Sequence, residues 1–224
     1  MAITIALAGN PNCGKTTMFN ALTGSRQFVG NWPGVTVEKK EGKLKGNDDV
    51  VIQDLPGIYS LSPDTLEEVV ARNYLVNDKP DAILNIVDST SIERNLYLTT
   101  ELIDINPRMV VALNMFDELN SSGAELDYDN LGRMLGVPMV PVEARNGKGI
   151  EQLLDTVIAV YENQDERVRH IHINMGSVIE EGLRRLNGDM NAFRGELPKA
   201  FPPRYYAMKM LEGDRQAEES LRGC

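Results

Sequence analysis

Cysteine is scarce in this chain, with two among 224 residues, Cys13 and Cys224. That rules out a disulfide framework and points to a reducing compartment. Long apolar runs are missing too, and none approaches the ~18 residues a membrane-crossing helix needs. The apolar start at residues 1–9 has no basic region ahead of it, so it reads as a buried first strand and not as a signal peptide. Positive charge is in deficit, with 23 Lys and Arg against 33 Asp and Glu and a net charge of −10. No Lys/Arg run exceeds two residues, which disfavours an electrostatic grip on nucleic acid or anionic lipid. Aromatics make up 6% of residues, with Trp32 the single tryptophan. No internal repeat or low-complexity tract is present.

What is there is an ordinary globular composition, 42% apolar and 25% charged, which opposes disorder. Short Val/Ile/Leu-rich runs at 3–8, 50–53, 82–87, 109–113 and 137–140 alternate with amphipathic segments. Such runs fit strands buried on both faces. Residues 37–44 are more polar and lead through a turn at 45–49 into the run at 50, as an edge strand in a hairpin would. The expected fold class is α/β, a P-loop fold with a mostly parallel six-stranded sheet and one antiparallel edge strand. Thr65 with Glu68, Thr90 with Glu93 and Ser177 with Glu180 have capping-box spacing. Gly24 and Gly136 stand where helices end. The expected domains are 1–165 and a small α-helical one at 166–224, built from two helices that need other surface to lean on.

Gly9, Asn10, Pro11, Asn12, Cys13, Gly14, Lys15 and Thr16 match G-x-x-x-x-G-K-[ST], with a strand before and a helix from Thr17 onward. The glycines let backbone N–H groups converge on phosphates, and the helix N-terminus adds partial positive charge. Lys15 is placed to reach the β- and γ-phosphates, and the Thr16 hydroxyl to ligate Mg²⁺. Asp54 ends a strand and suits the Mg²⁺ shell, and Gly57 offers an amide to the γ-phosphate. Asn114, Met115 and Asp117 follow another strand. An Asp carboxylate accepts from N1–H and the exocyclic amine of guanine, whereas adenine presents the opposite pattern; the bland alternative is a capping Asn/Asp pair. Asn114 is expected to brace the loop, and Met115 to pack along the purine. Glu143, Ala144 and Arg145 are expected to cover the base, with the Ala144 amide on guanine O6. Glu143 stands where Ser or Thr is usual, and a loose loop is expected from it.

These motifs resemble the translation-factor-related GTPases. A closer match comes from residues 30–38 (GNWPGVTVE), 54–61 (DLPGIYSL) and 95–98 (NLYL), which resemble the cytosolic N-terminal region of the ferrous iron transport protein B family over essentially the whole chain. The resemblance implies switch I at 30–38, with Gly34 and Val35 at the nucleotide and Thr36 on Mg²⁺, and switch II at 54–64. It implies that Asn12 helps hold K⁺. It further implies a membrane permease as partner beyond this chain, at the cytoplasmic face of the cell membrane; the chain alone is expected to be soluble and cytoplasmic. Ile58 follows Gly57 where water-orienting GTPases carry Gln, so turnover of GTP to GDP and phosphate is expected to be slow and stimulated by K⁺. The catalytic set is then Asn12, Lys15, Thr36 and Gly57.

Other readings stay open. Binding with negligible hydrolysis would make the chain a nucleotide-sensing interaction module. A ribosome- or RNA-associated GTPase shares the P-loop but needs a basic module that the charge opposes. No nucleic-acid partner is expected, and homo-oligomerisation is left undecided. Trp32 is either a lid over the nucleotide or an anchor for a loop. Cys13 near a helix N-terminus is either redox-active or inert. His170 and His172 are either a metal seed or ordinary surface residues.

Overall fold

The computed structural model describes residues 3–24, 27–62, 64–106, 108–169, 171–192 and 202–222, and the chain divides into two compact units, 1–171 and 172–224. The first unit is an α/β fold. Its strands are β1 (Ile3–Gly9), β2 (Gln27–Asn31), β3 (Glu38–Leu44), β4 (Asn47–Asp54), β5 (Ala82–Asp88), β6 (Met109–Asn114) and β7 (Met139–Pro141). They lie in the order β2-β3-β4-β1-β5-β6-β7. From β4 to β7 every pairing is parallel. β3 runs antiparallel to both of its neighbours.

Seven strands replace the expected six, and β3 is not the edge. Gln27–Asn31 pairs along its outer side, from Gln27 opposite Gly42 to Asn31 opposite Glu38. The segment carries a glycine and no alternation, so its pairing comes from the open edge that β3 offers and not from its own pattern. The turn into β4 is also tighter than expected, with β4 starting at Asn47.

Among the described residues six α-helices accompany the sheet: α1 (Lys15–Thr23), α2 (Leu66–Asn73), α3 (Ile92–Ile105), α4 (Phe116–Ser121), α5 (Tyr128–Leu135) and α6 (Ile150–Tyr161). One core gathers Ile5, Leu7, Ile52, Leu84, Ile86 and Val110 from the strands with Met18 and Phe19 of α1 and Leu153 and Val157 of α6. Truncating such a side chain to Ala costs about 2–5 kcal/mol. This core fixes the strand ends, and with them Gly9, Asp54 and Asn114 at the carboxyl ends of β1, β4 and β6, where ligands of open α/β sheets bind.

The helix starts follow the sequence in part. Thr65 and Glu68 form the reciprocal capping box at α2. At α3 the Thr90–Glu93 box does not form: the Asp88 carboxylate takes the Thr90 N–H at 2.9 Å, an acceptor reached sooner. Gly24 and Gly136 end α1 and α5 at positive φ.

The second unit holds α7 (Ser177–Ala192), α8 (Pro203–Leu211) and α9 (Arg215–Arg222). Ser177 and Glu180 form no box here, because Glu180 accepts instead from the Met175 N–H at 3.1 Å and from the Arg204 guanidinium at 2.8 Å. α9 was not expected. It is strongly polar, and its Ala217 is the buried contact. Asp214 caps it, accepting the Gln216 and Ala217 amides at 3.0 Å each. Residues 166–169 and 171, expected in the helical part, sit with the first unit, where the Arg169 N–H donates to the Gly136 carbonyl at 3.0 Å. Residues 193–201, His170 and Cys224 lie outside the described residues.

Candidate functional site

β1 ends at Gly9, the chain turns through residues 10–14, and α1 begins at Lys15 with its first amides free for a ligand. A cavity of about 500 Å³ opens there, lined by Asn10, Pro11, Asn12, Gly14, Lys15, Thr16, Thr17 and Gly57. Gly14 has φ +87°, and a Cβ on it would fall 2.1 Å from Asn114 Nδ2, so both its conformation and its closeness to the next loop demand glycine.

Lys15 Nζ donates to Asp54 Oδ1 at 2.5 Å. Both groups are largely buried, and burial raises the Asp54 carboxyl above its ordinary range against the opposing pull of Lys15. Next to the cavity, then, a carboxylate and a cation hold each other. The donor set available to a metal is the Thr16 hydroxyl and the Asp54 carboxylate, hard oxygens that suit Mg²⁺. No group of three or more His, Cys, Asp or Glu side chains gathers among the described residues, so a Mg²⁺ here would complete its shell from phosphate and water, as that ion commonly does. Asn12, at φ +67°, is exposed at the cavity mouth, and its carboxamide makes no hydrogen bond among the described residues, which leaves an oxygen for a monovalent cation.

Cys13 is buried and its thiol is pushed up to about 11, chiefly by desolvation. It stays protonated near neutrality, which favours the inert reading over the redox one.

The base side is a smaller pocket of about 80 Å³, lined by Gly14, Thr17, Asn114, Met115, Asp117, Glu118, Glu143, Ala144, Arg145 and Asn146. Asn114 is buried at the end of β6. Its Nδ2 donates to the Cys13 carbonyl at 2.9 Å and its Oδ1 accepts the Ala144 N–H at 3.0 Å. Asn114 thus bridges the two loops, and the Ala144 amide, expected on guanine O6, is already donated. Met115 adopts φ +57° as it opens α4, and Asp117, in the first turn of that helix, lines the pocket.

The loop expected to be loose is tied down. Its N–H and C=O groups close on themselves, the Glu143 N–H donating to the Lys148 carbonyl at 3.0 Å and the Gly147 N–H to the Glu143 carbonyl at 2.9 Å. The Glu143 carboxylate accepts from Lys148 Nζ at 2.7 Å and from Asn146 Nδ2 at 3.2 Å. The Lys148 bond is the larger cause that holds this carboxyl below its ordinary range. Sequence reasoning missed these partners, because a Glu/Lys pair five residues apart carries no motif.

Switch I, expected at 30–38, stands apart from the cavity lining. Gly34, Val35 and Thr36 lie on the loop between β2 and β3, and Thr36 is exposed. Trp32 is buried, with its ring 5.3 Å from that of Tyr74 in an edge-on contact and the Lys39 ammonium 5.2 Å from its centroid. In this structure it is an anchor and not a lid. Tyr74 opens a π-helical turn, Tyr74–Asp78, and its burial raises its hydroxyl well above the ordinary value.

Of switch II, Pro63 lies outside the described residues. Ile58 is buried, its side chain at 2% exposure, and its N–H donates to the Gly9 carbonyl at 3.2 Å. Farther along, the Glu101 carboxylate of α3 accepts the Leu61 N–H at 2.8 Å, and the Arg94 guanidinium lies 5.8 Å from the Tyr59 ring centroid. These two α3 residues hold the segment from a distance of 35 or more positions in sequence, so only the fold reveals them.

The family model described as ferrous iron transport protein B matches residues 3–157. A Porphyromonas gingivalis Fe(2+) transport protein A/Fe(2+) transporter FeoB fusion protein is 48% identical over 216 residues, 96% of this chain and 26% of that protein. A Staphylococcus aureus Fe(2+) transporter FeoB is 46% identical over 180 residues, 80% of this chain and 26% of that one. The chain thus spans about a quarter of the length of the curated relatives it matches. Among solved structures, a variant of S. thermophilus NFeoB bound to mGDP superposes with a TM-score of 0.89 at 41% identity, covering 98% of this chain and 82% of the other. The T. maritima FeoB cytosolic domain in apo form gives 0.86 at 35%, covering 98% and 85%. With the phosphate loop, the Asn114 brace and the sheet order in hand, the chain belongs to the ferrous iron transport protein B family, as its N-terminal G domain of P-loop GTPase fold.

Proposed function

We propose that this chain is the GTP-binding and GTP-hydrolysing switch of a prokaryotic Fe(II) membrane transporter, in which movements of residues 30–38 and 54–64 couple to iron uptake. The observation that carries the reading is the placement of Asn114. It ties the phosphate loop to the base loop while Asp117, on the same turn, lines the base pocket. A guanine suits the Asp117 acceptor pair, and an adenine leaves it unpaired. The Arg145 amide, which makes no hydrogen bond among the described residues, is the donor left for O6. Relatives named for Fe(2+) transport, and a family structure with mGDP, support the same reading.

Lys15 exchanges Asp54 for phosphate oxygens, and that exchange frees the Asp54 carboxylate. Thr16, Thr36 and Asp54 are the residues that would hold Mg²⁺, and Asn12 the residue for K⁺. When bound, these ions supply positive charge against the charge that develops on the transferred phosphoryl group. The Gly57 amide serves the γ-phosphate. A buried Ile58 holds no water, so backbone groups alone orient the nucleophile and turnover is slow. Residues 172–224 form the helical part that relays the switches toward a membrane permease at the cytoplasmic face. Among the described residues no helix is long and apolar enough to cross a membrane.

Steady-state phosphate release with GTP or ATP, in KCl and then in NaCl at equal ionic strength, tests this. Hydrolysis of GTP alone, faster in K⁺, supports the base, Asn12 and switch assignments together. Equal rates in the two salts sink the K⁺ role. The buried Ile58 favours one second reading, a nucleotide-sensing interaction module. Binding without turnover in either salt selects it.

A further inference from the structure

Asn10 carries a full hydrogen-bonding side chain into a place that leaves it idle. It is buried to 2% exposure, and neither its Nδ2 nor its Oδ1 has a partner among the described residues. A primary amide offers two donors and an acceptor oxygen. Native proteins seldom bury one unmet, because the lost hydration is not recovered. An alanine would fill the same spot in the nucleotide-free fold at less cost. The amide therefore answers to a partner that arrives in another state.

Asn10 and the turn at Gly57 line the same cavity. The Ile58 N–H donates to the carbonyl of Gly9, the residue before Asn10, at 3.2 Å. A Cβ on Gly57 would fall 3.2 Å from the Cα of Pro11, the residue after it. The turn's main chain thus touches the phosphate loop on both sides of Asn10. The Gly57 N–H itself has no hydrogen-bond partner among the described residues. A peptide unit is planar, with N–H and C=O opposed. When the Gly57 N–H swings toward a γ-phosphate, the Pro56 carbonyl swings away from the cavity and needs a donor.

We infer that Asn10 is a positioning residue for the triphosphate state, its Nδ2 donating to the main chain of residues 56–58 once that turn engages the γ-phosphate. The inference rests on the GTPase reading above. It gives the chain a means of telling GTP from GDP that does not depend on a water-orienting side chain. The competing partner is fixed and not state-dependent. β1 pairs with β5 so that Gly9 lies opposite Ile86, and Ser89, a few residues beyond, has a hydroxyl that is also buried and has no partner among the described residues. A resident water shared by Asn10 and Ser89 would meet both side chains in every state.

The test is calorimetric titration of the wild type, Asn10→Ala and Asn10→Leu with GDP and with the non-hydrolysable analogue GMPPNP, both with Mg²⁺. Melting curves of the nucleotide-free proteins run beside it. The expected result is GMPPNP binding about five- to tenfold weaker in the variants, the worth of one neutral hydrogen bond. GDP binding stays within about twofold. The nucleotide-free melting temperature is unchanged or higher, because an unmet amide has been removed. Equal losses for the two nucleotides, a lower nucleotide-free melting temperature, or failure of both variants to fold would assign Asn10 to a fixed partner and overturn the inference. Wild type that binds neither nucleotide overturns the GTPase reading itself, a result the titrations separate from the others.

Discussion

Asn114 and Ala144, thirty residues apart, share a 3.0 Å hydrogen bond, and through the other end of the same side chain Asn114 holds the Cys13 carbonyl. One carboxamide thereby sets the distance between the phosphate cavity and the base pocket. Asn114→Ala removes two buried bonds and strands a buried carbonyl and an amide. Stability should fall by about 2–3 kcal/mol. For a chain of this size that is a melting temperature lower by about 4–10 °C. GDP affinity should drop at least tenfold further than stability alone explains, which scanning calorimetry with and without GDP would resolve.

Asp117 lines the base pocket without bracing it, so its substitution should change specificity and leave stability alone. Asp117→Asn replaces an acceptor pair by an acceptor and a donor. GTP binding should weaken on the order of 10³-fold. Xanthosine triphosphate, which carries a carbonyl where guanine has its amine, should gain affinity. Competition titrations with the two nucleotides decide this, and an equal loss for both would refute the assignment.

The Lys15–Asp54 pair makes nucleotide binding pH-dependent in a definite direction. Burial raises the Asp54 carboxyl above its ordinary 3.8, with Lys15 opposing. The folded value lies above the unfolded one. Asp54 therefore favours the folded state fully below 3.8, and that contribution is lost as pH rises through the raised folded value. Mg²⁺ binding needs the ionised form and should fall as pH drops through that same value, earlier than for an ordinary aspartate. Lys15→Ala removes the opposing charge and should move this fall-off to still higher pH, while leaving a buried carboxylate unpaired at a cost of about 3–5 kcal/mol. Mg²⁺-dependent binding of a fluorescent GDP analogue across a pH series, together with denaturant melts, measures both.

Trp32 is the single tryptophan, and it is buried against Tyr74. Its emission should be that of a shielded indole in the nucleotide-free protein. For exposed Thr36 to reach a Mg²⁺ site at the phosphates, the loop that Trp32 anchors must move. GMPPNP should therefore red-shift the emission, and GDP should do so little. Tyr74→Ala removes the edge-on ring, worth about 0.5–1.5 kcal/mol. It should red-shift the nucleotide-free protein on its own. An unchanged spectrum in all states would mean that Trp32 stays seated while Thr36 acts elsewhere.

In the helical unit, Arg204 and the Met175 N–H hold the Glu180 carboxyl down to about 2, Arg204 being the larger cause. A folded value below the unfolded one means stability present above about 4.5 and lost as pH falls toward about 2. Circular dichroism of the helices should show an acid transition in that window. Arg204→Met should flatten it while lowering helix stability at neutral pH.

Much of this protein was legible in the order of its residues. Runs such as 3–8 and 109–113 could satisfy their apolar side chains only inside a two-faced sheet. A glycine-rich turn between strand and helix has few uses other than phosphate. Thr65 with Glu68 closes locally, so spacing was enough. Where the partner was distant or not unique, the sequence fell silent. The pairing of β2 depended on an edge that exists only after β3 and β4 have met. The Thr90–Glu93 and Ser177–Glu180 boxes lost to Asp88 and to Arg204 with the Met175 amide, better-placed competitors. The tight Glu143 loop, the Ala144 amide spent on Asn114 and the seat of Trp32 on Tyr74 were likewise decided in three dimensions. Short-range hydrogen bonds and periodic burial are written along the chain. Which of several polar partners wins depends on distance and desolvation, and both are set only when the core brings the loops together.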